Sequence, residues 1–198
     1  MSAGLAALRR FVRRAAAAEE RCELCGAGLP AGHDHLVDPA ARALKCACGA
    51  CAVLFPGGNG RFLRVRPRAE LLRDMRLDDE RWDALGIPVG LAFFFRSSAA
   101  GRVVAFYPSP AGATESLIGL DSWVSIEGEN PVLGELQPDV EALLVYRVDG
   151  VREHYRVSID HCYRLVGLVR VHWRGFSGGA GGWEEIGRFF AALRDGHA

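Results

Sequence analysis

Apolar residues along the chain recur with two different periods, and the change of period marks out its elements. From Ala3 to Glu20, Leu5, Leu8, Phe11 and Val12 recur at helical spacing among alanines. This predicts an N-terminal helix docked by that stripe, with Arg9, Arg10, Arg13, Arg14, Glu19 and Glu20 on its polar face. Arg61 to Arg66 alternates charged and apolar residues, the pattern of a short strand. Asp78 to Leu85 reads as a short helix with an acidic first turn. Val89 to Arg96 and Arg102 to Tyr107 read as a hairpin, and Leu117 to Ile126 as one or two further short strands. Glu141 to Arg147 and Val151 to Ile159 form a second predicted hairpin around Asp149-Gly150, a dipeptide that favours tight turns.

Two amphipathic helices close the chain. In His161 to Trp173 the residues Cys162, Leu165, Val166, Val169 and Trp173 share a stripe, with Ser158 or Asp160 available as the cap. Gly175 to Gly182 reads as a glycine-rich joint. Trp183 to Arg194 then places Ile186, Phe189, Phe190 and Leu193 on one side. The expected class is α+β: an N-terminal helix and a small metal module, then an antiparallel sheet packed by the two C-terminal helices. The turn Pro56-Gly57-Gly58-Asn59-Gly60 divides the chain into 1–56 and an α+β domain over 57–198.

Composition narrows the function. Apolar residues make up 49% of the 198 positions, and ten Phe with four Trp can fill a core, which argues against global disorder. Lys plus Arg and Asp plus Glu both total 24, so no net field attracts nucleic acid or anionic lipid, and a nucleic-acid role motivated by Arg61 to Arg73 is disfavoured. Lys45 is the one lysine, a bias that reads as codon supply in a GC-rich genome. The longest apolar run, Val89 to Phe95, is far shorter than the ~20 residues of a membrane span. The arginines of the first 14 residues precede no apolar segment of the kind an export signal needs, so a cytoplasmic protein is expected. In that compartment six cysteines are read as metal ligands, catalytic thiols or buried thiols before disulfides.

The cysteine spacing carries the most specific chemistry. Cys22-Glu23-Leu24-Cys25-Gly26 is a metal knuckle: two thiolates separated by two residues converge on one ion, and the glycine eases the turn of the backbone. Cys48-Gly49-Ala50-Cys51 is the matching pair, and four thiolates make the tetrahedral set that zinc prefers in closed structural sites. Between them, His35 to Asp38 and Ala43 to Cys46 read as two short strands, and Cys51 to Phe55 as a first helical turn. Knuckle, hairpin and helix start resemble a treble-clef zinc module over Cys22 to Phe55. Cys46, His33 and His35 are alternates for a ligand, and a strand running into the second pair would put Cys46 and Cys48 on one side. Iron is the alternative metal, in a rubredoxin-like site or, as a further option, an iron–sulfur cluster. The second pair lacks the following glycine of a rubredoxin-like loop.

No catalytic constellation emerges. His161 and Cys162 are neighbours on a helix and point about 100° apart, so Cys162 reads as a buried thiol and Asp160 as a cap. The glycines before the last helix lack the Lys-Ser/Thr of a phosphate loop, and Glu184 and Glu185 already supply negative charge there.

The segments Cys22-Glu-Leu-Cys-Gly, His33-Asp-His35-Leu, Leu44 to Phe55, Asp160 to Arg170, Trp173 to Gly179 and Trp183 together resemble an uncharacterised actinobacterial family encoded beside high-affinity nickel–iron hydrogenases. The resemblance implies a hydrogenase accessory or assembly role, with protein partners and the cysteine motif as a metal site. The expected function is therefore a non-catalytic, metal-binding accessory protein, with an iron-containing electron carrier as the alternative.

Overall fold

The computed structural model describes residues 20–56, 60–117, 120–175 and 178–196. The helix expected over Ala3 to Glu20 lies outside them but for its last residue.

The chain is α+β, and the described residues form nine strands in two antiparallel sheets. β1 (Asp34–Asp38), β2 (Ala43–Ala47) and β3 (Leu63–Val65) form a three-stranded sheet in the order β2-β1-β3, and α1 (Gly49–Leu54) follows β2. β4 (Ala69–Leu71), β5 (Leu91–Ser97), β6 (Arg102–Ser109), β7 (Gly112–Ser116), β8 (Glu141–Tyr146) and β9 (Glu153–Ser158) form the main sheet in the order β4-β9-β8-β5-β6-β7. α2 (Asp79–Ala84), α3 (Leu120–Glu129) and a 3₁₀ turn at Pro131–Glu135 come before β8; α4 (Ile159–His172) and α5 (Gly179–Arg194) follow β9.

Strand side chains alternate between two faces, and here both faces of the main sheet are buried. Leu91, Phe93, Phe95, Val104, Ala142 and Leu144 pack against Leu165, Val169, Ile186 and Phe190 of α4 and α5. Ala92, Phe94, Val103, Ala105, Leu143 and Val145 pack against Trp82, Trp123 and Ile126 of α2 and α3. The continuous run Leu91 to Phe95 is thus a central strand covered on both sides.

The second covering layer corrects the sequence reading. Leu117 to Ile126 contains the start of α3, not strands: Trp123, Ile126 and Asn130 are buried at spacings of three and four while Val124 is exposed. Asn130 anchors the helix end. Its side-chain amide donates to Ile126 O at 2.7 Å and Arg76 O at 2.9 Å, and its carbonyl accepts from Arg76 N at 2.7 Å. The last helix begins at Gly179 rather than Trp183, and its first turn holds Gly182 where a Cβ would lie 3.3 Å from His172 O. Strands β4 and β7 are additions, both edge strands of the main sheet.

The expected hairpins and the cap of the first helix after β4 are present, whereas the side-chain cap expected for α4 is not. The hairpins β5–β6 and β8–β9 have antiparallel register, and Asp149 and Gly150 adopt φ of 50° and 80° in the turn between β8 and β9. Asp78 caps α2 by accepting from Arg81 N at 2.8 Å. Ser158 stands at the N-cap of α4. Its hydroxyl faces Arg68 and His161 instead of capping the helix. Asp160 is not the cap either; its carboxylate faces His35 and His161.

Candidate metal centre

The small sheet presents two different faces. β1 and β2 pair with Leu36 opposite Lys45, His35 opposite Cys46 and Asp34 opposite Ala47. Leu36 and Ala47 face a small core with Cys22, Cys51, Ala52 and Phe62. Val37 and Val65, on the other face, join the main core, with Leu44 and Leu63 packed against it. β3, which follows segment 56–60 in the sequence, completes this sheet by pairing with β1.

On the first face, one sulfur each from Cys22, Cys25, Cys48 and Cys51 falls within 4.8 Å of every other. Local backbone explains the convergence. Gly26 takes φ 78°, which lets Gly26 N donate to Cys22 O at 2.8 Å while Cys22 N donates to Ala27 O at 2.8 Å. Glu23 N donates to Cys46 O at 2.9 Å, and the Glu23 carboxylate accepts from Cys46 N at 2.7 Å and Lys45 Nζ at 2.9 Å. These bonds fix the knuckle to the hairpin. β2 ends at Ala47, Cys48 becomes the N-cap of α1, and Cys51 lies in its first turn. Ladder pairing therefore stops at Ala47, and Cys48, still extended, opens α1. Cys46 and Cys48 go to different groups of ligands.

The four-sulfur cluster fits a tetrahedral ion. Zinc–sulfur bonds of about 2.3 Å put ligand sulfurs about 3.8 Å apart, and Cys25 Sγ lies 3.7 Å from Cys48 Sγ. Cys22 and Cys51 are buried and Cys25 is exposed. Burial raises the Cys22 thiol, but the backbone amides of Cys48, Leu24 and Cys25, together with the Cys25 side chain, outweigh it and bring the thiol down to about 6. Cys51 is pushed up to about 12, first by burial and then by its sulfur neighbours. Cys25 is raised as well, the neighbouring sulfurs of Cys22 and Cys48 outweighing the amide of Ala27. Cys22 therefore ionises readily while Cys25 and Cys51 resist, as like charges at this spacing must. A divalent cation reverses that order and takes all four as thiolates.

His33, His35 and Cys46 do not join this cluster; they form a separate group of three, with ligand atoms within 4.8 Å of one another. The histidine rings lie 4.8 Å apart between centroids. This group borders an open cavity of about 400 Å³ whose wall includes Asp160, His161 and Tyr163 from α4. Burial alone would raise the Asp160 carboxyl, yet hydrogen bonds from His161, His35 and Ser158 hold it well below the usual carboxylate range. Burial raises the Cys46 thiol, and the charges of Glu23 and Glu20 add to that. Sequence reasoning had no means of finding the part played by Asp160, which reaches β1 only through the tertiary fold.

Cys162 is fully buried in the main core, and burial pushes its thiol far up. His161 hydrogen-bonds Ser158 Oγ through Nδ1 at 3.0 Å. Of the glycine-rich segment, 176–177 lie outside the described residues, and Gly179 to Gly182 form the first turn of α5. Among the described residues, no helix is long and apolar enough to cross a membrane.

Fold and site together define an α+β protein with a four-cysteine cluster able to hold a metal ion. The chain belongs to the DUF5947 family, a family of unknown function whose family model matches residues 21–197. No curated protein and no solved structure matches it.

Proposed function

We propose that the chain is a non-catalytic accessory protein whose treble-clef-like module is held by one zinc ion on Cys22, Cys25, Cys48 and Cys51. The observation that carries the metal assignment is the convergence of four sulfurs within 4.8 Å from a knuckle and a helix start. Zinc suits this set better than iron in a rubredoxin-like site. Such a site uses two equivalent loops, whereas Cys48 and Cys51 sit at the N-cap and first turn of a helix. The ion would neutralise the mutual repulsion of the thiolates and fold the module; zinc would supply no redox chemistry.

The accessory role is supported by α1, which the cluster anchors. Val53 is 65% exposed and Leu54 71% exposed, with Phe55 beside them, and adjacent exposed apolar side chains on a metal-braced helix suit contact with a protein partner. The choice of a nickel–iron hydrogenase or its maturation factors as partner rests on the sequence resemblance.

Metal analysis of the full chain purified without chelator tests the first part. Zinc that falls by one ion per chain on Cys22→Ser or Cys51→Ser is the expected result; colour with stoichiometric iron would replace it with the electron-carrier reading. Affinity capture from cells making the hydrogenase tests the second part. Absence of hydrogenase subunits from the captured material, together with normal hydrogen uptake in a deletion strain, would remove the hydrogenase assignment.

A further inference from the structure

We propose that His33, His35 and Cys46 form a second metal site, distinct from the four-cysteine cluster, which takes a zinc-class divalent ion and keeps one coordination position open. The three side chains belong to the stretch before β1, to β1 itself and to β2. His35 and Cys46 are directly opposed in the antiparallel register, so their side chains leave the sheet on one face. That is the face of Val37 and Leu44, opposite to the one carrying Leu36 and Ala47 against the four-cysteine cluster. The two groups of ligands therefore stand on opposite sides of one hairpin and cannot share an ion.

Each histidine is prepared as a ligand. His33 Nδ1 lies 3.0 Å from Pro30 O and 3.4 Å from Glu20 Oε2. Both are acceptors, so this nitrogen carries the proton and Nε2 presents a bare lone pair. The His33 side chain is only 6% exposed, and its Nε2 is buried with no hydrogen-bond partner. A buried polar atom left without a partner is costly and rare in folded proteins, and an ion would satisfy it. His35 Nδ1 lies 3.3 Å from the Asp160 Oδ2 acceptor, which again leaves the Nε2 lone pair free for an ion. A carbonyl or carboxylate behind the second ring nitrogen is the usual way metal-bound imidazoles are oriented and made more basic. Asp160 in turn is fixed by His161 N at 3.0 Å, so the support runs from the first turn of α4 to the sheet.

Two imidazoles and one thiolate suit zinc or cobalt(II). Three protein ligands leave a tetrahedral ion one position short, and that position faces the cavity bounded by His161, Tyr163 and Arg164. Water or a small exogenous ligand would complete the set, as in open rather than closed zinc sites.

The test uses the full chain, stripped of metal and reconstituted with zinc or cobalt(II). About two ions per chain are expected by elemental analysis, falling to about one in Cys46→Ser and in His33→Ala/His35→Ala. In Cys22→Ser/Cys25→Ser the ion on the histidines remains. One ion per chain that disappears with the histidine variants would keep the second site and remove the four-cysteine assignment. Metal content unchanged by those variants would overturn the proposal. A readout on the unaltered chain covers the case in which a variant fails to fold. Imidazole or azide added to the cobalt form should shift its visible spectrum, because only an open site admits another ligand. A spectrum indifferent to both would overturn the proposal as well.

Discussion

Buried His154 has a consequence that pH reveals. Burial first, and the charge of Arg147 second, lower its imidazole from 6.5 to about 4, and its Nε2 has no hydrogen-bond partner. Between those two values the unfolded chain binds more protons than the folded one, so stability falls as pH falls. Going from pH 7 to pH 5 should cost about 2 kcal/mol through this residue, and denaturant unfolding of His154→Gln at both pH values should show that much less dependence. Gly90 is fixed by close approach: an added Cβ would lie 2.0 Å from Arg147 O, where Arg147 N also donates to Gly90 O at 2.7 Å. Gly90→Ala should destabilise by about 2 kcal/mol or more in the same measurement, since backbone must move on both strands. Among the cysteines, the pairs Cys22/Cys25 and Cys48/Cys51 were legible from spacing alone. The separate place of Cys46 was not, because it depends on β2 ending one residue before Cys48.

At the level of elements, α3 depends on Asn130, two of whose hydrogen bonds tie the helix end to Arg76 before α2 while a third closes back on Ile126 O. Asn130→Ala leaves Arg76 N and O and Ile126 O without these partners and should cost about 2 kcal/mol in chemical unfolding. On α1 the expectation is the reverse. Val53→Ser/Leu54→Ser removes exposed side chains, so unfolding free energy should stay within about 0.5 kcal/mol and metal content should not change. Partner capture should weaken in the same variant. Strong local signals made the hairpins and α4 readable: apolar runs bounded by Gly or Asp-Gly, and a single clean stripe. The segment forming α3 was misread because Ser122, Gly128 and exposed Val124 interrupt its stripe, and only the sheet face it covers reveals its period. The starting point of α5 was obscured in the same way by Gly181 and Gly182, poor helix formers, of which Gly182 packs closely against the end of α4.

For the whole molecule, the relevant fact is that the small sheet and the main core are continuous. Val37 and Val65 belong to the cluster that also holds Phe93, Tyr155 and Phe190, so the cysteine module does not stand alone. Chelation should therefore lower the melting temperature of the entire chain in one calorimetric transition, not release a separate early event. Two transitions, with only the first sensitive to chelator, would show that the module melts by itself. The α+β class was readable from the succession of elements, whereas burial of both sheet faces was not, since it is decided by contacts between residues far apart in the chain. The β1–β2 hairpin has a mechanical consequence too. It is a thin partition with sulfur ligands braced against one surface and His35 and Cys46 mounted on the other. Loading one compartment stiffens the shared wall, so the second ion should enter a pocket already shaped for it, and uptake of the pair should be positively cooperative.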